Sequence, residues 1–317
     1  MSLIEQAAKR LEQLRQAGVE LPEEPVASPA VQASPPVEKR SLKEEPTLRQ
    51  PTAPTPIQTP EIKAAPSSQN LVSLDMASIA AAGMLTPIAA RSQLADEFRV
   101  IKRPLIANAM GKGSAPVANG NLIMVTSALP GEGKSFSAIN LAISIAMELD
   151  NTVMLVDADV ARPSVLNMLG LPPAEGLLDV LQANSLDISG VLLKTNIEKL
   201  SILPSGTPHP RATELLASDT MIRLLDDMAR RYSDRIIVFD SPPLLLTTEA
   251  RVLATHMGQV VIVVNAENTA QAAVKQAITT VESCPVKMMV LNQIRAQKSE
   301  GYGYGYGYGY GYGNEKK

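Results

Sequence analysis

The sequence predicts a doubly wound α/β domain, a mainly parallel sheet with helices on both faces, set between a Pro-rich tether and a Gly-Tyr tail. Three observations predict it. Six short aliphatic runs alternate with helix-like segments between about residues 90 and 295, as parallel strands joined by crossover helices require. Each run is apolar nearly throughout, the pattern of a strand buried on both faces. Aromatic residues are scarce there: of seven Tyr and three Phe, six Tyr lie between Tyr302 and Tyr312, so the core has to pack on aliphatic side chains.

The elements follow in order. Residues 1–19 read as a short amphipathic helix. Ser2 and Glu5 have capping-box spacing, Gly18 stops it, and Ile4, Ala7, Ala8, Leu11 and Leu14 share one face. A helix this short is marginal alone in water, which makes it a candidate docking element. Residues 20–85 read as a disordered, rather extended tether, with eleven of the 24 prolines between Pro22 and Pro66. The stretch Leu71 to Ala90 is rich in Ala and Ser and contains Asp75 and Pro87, a linker or surface helix rather than a membrane span.

Residues 86–298 form the α/β domain. Its predicted strands are Leu122–Thr126, Val153–Val156, Ser201–Leu203, Ile236–Phe239, Val260–Val264 and Met288–Leu291. Its predicted helices are Ser135–Leu149, Ser164–Leu169, Thr213–Tyr232, Thr248–His256 and Thr269–Ser283. In the tail, 299–317, glycine at every second position from Gly301 to Gly313 offers nothing to pack. Every tail hydroxyl is therefore expected to be exposed.

Composition excludes several functions. A single Cys284 rules out a disulfide framework, and His209 and His256 with it make no zinc constellation. A net charge of −3 supplies no basic stripe for nucleic acid. With no signal peptide or membrane span recognised, a cytoplasmic location is expected.

The strongest chemical signal follows the first strand, at Ser127-Ala128-Leu129-Pro130-Gly131-Glu132-Gly133-Lys134-Ser135. It is a relaxed phosphate loop, with Ala128 where the pattern has its first glycine. Gly131 and Gly133 let backbone amides turn toward phosphate oxygens. Lys134 reaches the β- and γ-phosphates, and the Ser135 hydroxyl suits Mg²⁺. The helix that follows adds its positive N-terminus. Glu132 and Phe136 complete the predicted nucleotide-binding set. Two further strands run into acids, one at Asp157-Ala158-Asp159 with Arg162 after it, the other at Asp240-Ser241-Pro242-Pro243. Carboxyl ends of strands form the ligand crevice of such a sheet, so three carboxylates there suit Mg²⁺ binding plus one general base.

In these residues the sequence resembles the bacterial tyrosine autokinases of capsule and exopolysaccharide export, and most of all the subgroup of exosortase-associated exopolysaccharide loci. The phosphate loop, the Asp157-x-Asp159 motif, the Asp240-Ser-Pro-Pro motif and the terminal tyrosine cluster carry the likeness. It implies a P-loop fold, ATP and Mg²⁺ as cofactors, and transfer to Tyr302, Tyr304, Tyr306, Tyr308, Tyr310 and Tyr312. It assigns Lys134 to charge on the transferred phosphoryl, Ser135, Asp159 and Asp240 to Mg²⁺, and Asp157 to the phenol proton. The family's Arg falls at Ala161 here, with Arg162 next. Its oligomer motif becomes Asp96-x-x-Arg99-x-x-Lys102, implying a homo-oligomeric ring. The implied partners are a membrane-embedded polysaccharide chain-length (copolymerase) protein as activator, recruiting the kinase to the inner face of the membrane, and a tyrosine phosphatase.

Two rival readings share the fold. A partition-type ATPase would carry a lysine where Pro130 stands, and has no use for the tail. A nucleotide-binding adaptor scaffolding an export complex needs no intact chemistry, yet every loop residue for chemistry is present.

Overall fold

The computed structural model describes residues 70–294, apart from 90, 186 and 233. The N-terminal helix, most of the tether and the tyrosine tail lie outside the described residues. Eight strands form one sheet in the order β1-β4-β5-β3-β6-β2-β7-β8. They are β1 (Leu71–Val72), β2 (Leu122–Ser127), β3 (Thr152–Asp157), β4 (Leu193–Thr195), β5 (Leu200–Leu203), β6 (Arg235–Asp240), β7 (Gln259–Asn265) and β8 (Val286–Asn292). All neighbouring pairs are parallel except β4 with β5.

The helices are α1 (Met76–Ala81), α2 (Gln93–Ala109), α3 (Lys134–Ala146), α4 (Val165–Met168), α5 (Leu177–Gln182), α6 (Ala212–Leu216), α7 (Asp219–Arg231), α8 (Glu249–Thr255) and α9 (Gln271–Thr280). They cover both faces. Successive side chains of a strand point to opposite sides, and β2 divides accordingly. Leu122 and Met124 pack in one core with residues of α5, α7 and α8. Ile123 and Val125 pack in the other with α1, α2 and α3. Phe239 is the one aromatic among the largest fully buried side chains, so the core is aliphatic as its composition required.

Three expectations are corrected. Residues 70–85, expected to belong to the tether, are part of the folded α/β domain. Leu74, Ile79, Met84 and Leu85 are buried. Asn196 holds Leu74 by its N–H (2.9 Å) and its C=O (3.0 Å), and Asn140 Oδ1 accepts from the Leu85 amide at 2.6 Å. The predicted helix 213–232 is two, because α6 ends at its cap Ala217 and Ser218 starts α7, accepting from the Met221 amide (3.2 Å). Strand β8 is not buried on both faces: its burial alternates, leaving Met289 and Leu291 exposed at the sheet edge. Among the described residues, no helix is long and apolar enough to cross a membrane.

Candidate active site

The site is built at the carboxyl ends of β2, β3, β6 and β7. The loop after β2 turns on Gly131 (φ 81°) and Gly133 (φ 91°), a left-handed backbone that other residues resist. Gly133 precedes α3 with no side-chain cap, so the first amides of this 13-residue helix are left for a ligand. A Cβ at Gly133 would lie 2.0 Å from Asn292 Nδ2, so a side chain there would also displace Asn292.

Lys134 is held between carboxylates. Its Nζ lies 2.6 Å from Asp159 Oδ2 and 3.7 Å from Asp240 Oδ1, and it donates to Ser135 Oγ at 3.3 Å. Burial disfavours the ammonium, but Asp240 and Asp159 outweigh it and raise the Lys134 pKa. Asp157 is 1% exposed. Its Oδ2 accepts from the amides of Ser164 (3.1 Å) and Val165 (3.0 Å), while Oδ1 has no partner. Burial, and next the like charge of Asp240, push Asp157 up to about 7. Burial pushes Asp240 up to about 6, against the pull of Lys134.

Buried polar atoms are ordinarily paired. Here Asp157 Oδ1 and both Asp240 oxygens are buried without a hydrogen bond, beside a hydroxyl and an ammonium. That donor set fits a hard divalent cation with phosphates. Mg²⁺ takes one or two protein ligands and fills its remaining positions with water and phosphate oxygens. The absence of a cluster of three or more metal-binding side chains among the described residues is compatible with this fit. A cleft of about 370 Å³ opens on Gly131, Lys134, Asp159, Arg162, Ser164 and Pro242. Arg162 lines it, and its amide donates to Asp159 Oδ1 (3.2 Å).

Five predicted residues sit elsewhere or turn away. Glu132 is 2% exposed; its carboxylate takes the Leu129 amide at 2.6 Å and the Thr269 hydroxyl, bracing the loop from beneath. The Phe136 side chain packs toward α2 and β8. The expected oligomer contacts lie on α2. There Arg99 pairs with Asp96. Lys102 is 4% exposed, with Nζ 2.6 Å from Glu148 and 2.5 Å from the Ser144 carbonyl. Lys102 is thus satisfied inside the domain, which corrects its expected place at an outer contact. The six tail tyrosines lie outside the described residues.

Sequence reasoning missed a brace from β8. Asn292 Nδ2 donates to the Glu132 carbonyl at 2.9 Å, and Gln293 Nε2 to the Gly131 carbonyl at 3.0 Å. Ser164 was missed as well; its hydroxyl bonds Ser135 Oγ at 2.9 Å. The signal for the first pair was available, since both follow an apolar run at the edge of the ligand crevice.

Comparison with known proteins agrees with this geometry. Residues 120–293, more than half of the chain, match the AAA domain family. The tyrosine-protein kinase YwqD of Bacillus subtilis is 33% identical over 57% of this chain and 75% of its own length. The crystal structure of the chimerical protein CapA2B2 is 29% identical, with a TM-score of 0.55 over 68% of this chain and 92% of that one. The kinase domain of the Escherichia coli tyrosine kinase ETK is 30% identical, with a TM-score of 0.51 over 59% and 72%. A loop built for phosphate, acids at the strand ends and these relatives together give one conclusion: the chain belongs to the bacterial tyrosine-protein kinases, on a nucleotide-binding domain of the AAA family.

Proposed function

We propose that the protein is an ATP-dependent tyrosine autokinase. It transfers the γ-phosphoryl group of ATP to Tyr302, Tyr304, Tyr306, Tyr308, Tyr310 and Tyr312 of its own tail and so regulates exopolysaccharide synthesis, export and chain length. The observation that carries this reading is the unpartnered Asp157 Oδ1 beside a Lys134 poised between Asp159 and Asp240.

A phenol holds its proton at neutral pH and needs a base in reach as transfer proceeds. Asp157, pushed up to about 7 by burial and Asp240, is a base matched to that pH. Lys134 balances charge on the transferred group, and the amides from Gly131 to Ser135 hold the phosphates in place. Ser135, with Asp159 and Asp240 directly or through water, would hold Mg²⁺. When bound, that ion neutralises phosphate charge.

A Gly-rich sequence of the tail's length has a root-mean-square reach of about 20 Å, and a domain of this size has a radius of gyration of about 17 Å. A neighbour's site is then easy to reach, which favours transfer between subunits of a homo-oligomer. The family resemblance supports a membrane-embedded polysaccharide chain-length protein as activator, a tyrosine phosphatase as its opponent, and work at the cytoplasmic face of the membrane.

Labelling with γ-phosphate-labelled ATP tests the reading. Label on tyrosine that disappears in Lys134→Met and falls at least about a hundredfold in Asp157→Asn is expected. ATP hydrolysis with unlabelled protein would replace this reading with that of a partition-type ATPase.

A further inference from the structure

One residue of the site does not do what its type usually does at its position. Ser164 stands at the N-cap of α4, where a serine hydroxyl ordinarily accepts from an amide of the first turn, and it makes no such bond. Asp157 does that work from the end of β3: its Oδ2 takes the amides of Ser164 (3.1 Å) and Val165 (3.0 Å). The Ser164 side chain is thereby released. It lines the phosphate cleft together with Lys134 and Asp159. Its hydroxyl donates to Ser135 Oγ at 2.9 Å, across 29 residues of sequence. Ser135 is the second residue of α3 and is 9% exposed. This bond ties the loop that follows β3 to the start of the helix that follows the phosphate loop.

A serine hydroxyl turns among staggered rotamers, and a group that has to be ordered on binding costs affinity. Outer partners that hold a metal-binding group in one orientation therefore add to the affinity for the metal. A hydroxyl oxygen has two lone pairs. One of those on Ser135 takes the Ser164 hydroxyl, and the other faces Lys134 Nζ at 3.3 Å, long for a hydrogen bond. We propose that Ser164 is a positioning residue for the cation of the nucleotide: it fixes the Ser135 oxygen, so that when Lys134 turns to a phosphate the second lone pair is left free for Mg²⁺. The proposal rests on the nucleotide chemistry of the kinase reading. It adds a residue that lies outside the phosphate loop and is none of the three acids. The backbone amide of Ser164, not its side chain, holds Asp157. Removing the hydroxyl leaves that acid in place, so the effect falls on the cation.

The test uses the full-length protein. Affinity for a fluorescent ADP analogue is titrated against Mg²⁺ in wild type, Ser164→Ala and Ser164→Thr, and measured again with the ion chelated. Stability is read by denaturant unfolding without nucleotide, and tyrosine phosphorylation by intact mass. Losing one hydrogen bond should raise the Mg²⁺ concentration for half-maximal binding about 3–10-fold in Ser164→Ala. Affinity without Mg²⁺ and the unfolding midpoint should stay at their wild-type values, since the hydroxyl caps no helix. Ser164→Thr keeps a hydroxyl and should return the Mg²⁺ dependence to within about twofold of wild type. If Ser164→Ala does not fold, Ser164→Gly decides, because glycine also lacks the hydroxyl and is well tolerated at an N-cap. An unshifted Mg²⁺ titration would overturn the proposal, and so would a shift in Ser164→Thr as large as that in Ser164→Ala. An equal loss of affinity with and without the ion would overturn it by making Ser164 a phosphate contact. A lower unfolding midpoint as the sole effect would overturn it by making the residue structural. Wild-type protein that binds Mg-nucleotide and phosphorylates no tyrosine would refute the kinase reading, and the Mg²⁺ titration would still decide Ser164.

Discussion

Asp157 is the residue where structure and chemistry compete most directly. Its carboxyl is raised from an ordinary 3.8 to about 7, burial being the first cause and Asp240 the next. Between those values the folded state keeps a proton that the unfolded chain has released. The stability of the ligand-free domain therefore falls as pH rises through that window. Asp157→Asn keeps an acceptor for the Ser164 and Val165 amides and has no charge to bury. At pH 8 this variant is expected to be about 1–3 kcal/mol more stable than wild type in denaturant unfolding without nucleotide. The gain should shrink to near zero at pH 4. An equal effect at both values would show that buried charge is not the cause. The carboxylates, Lys134 and Ser135 were legible from motif and strand ends. The inward turns of Glu132 and Lys102 were not, because a charged residue shows its partners only in three dimensions. Glu132 meets Thr269, and Lys102 meets Glu148, a helix away.

Two elements make predictions of their own. The segment from β1 to α1 is expected to be part of the folded unit. Ile79 is buried in the second core, so Ile79→Ala should cost about 2–4 kcal/mol in denaturant unfolding. A cost below about 0.5 kcal/mol would return the segment to the tether. At the opposite edge, the end of β8 clamps the phosphate loop through Asn292 and Gln293. Losing one such hydrogen bond in Asn292→Ala should weaken nucleotide binding by about 3–10-fold. Titration with a fluorescent nucleotide reads this, and unchanged affinity would remove the clamp from the account. The five central strands were legible as apolar runs because a doubly wound sheet buries both faces of its middle. Of the outer elements, β8 was legible as the run Met288–Leu291, while β1, β4 and α2 were hidden. β1 has two residues, and its neighbour Leu74 is held by Asn196, distant in sequence. α2 carries its apolar stripe among charges.

At the scale of the whole molecule the question is what the tail does to a chain of net charge −3. Six phosphates would add roughly −9 to −12. Repulsion of that size should loosen an oligomer at low salt and be screened at high salt. Sedimentation of unphosphorylated and fully phosphorylated protein is expected to show the smaller assembly for the latter at low ionic strength. Identical assemblies would remove charge as the regulator. The aromatic distribution was legible from the start: six of the seven tyrosines fall in the Gly-rich tail, and the site carries an unpartnered acid that suits a phenol. Intact mass of the full-length chain after incubation with Mg-ATP tests this pairing most directly. The account predicts a ladder of added phosphates reaching six, confined to the tail and absent in Lys134→Met. ATP turnover with the mass unchanged, or phosphate on residues outside the tail, would contradict it.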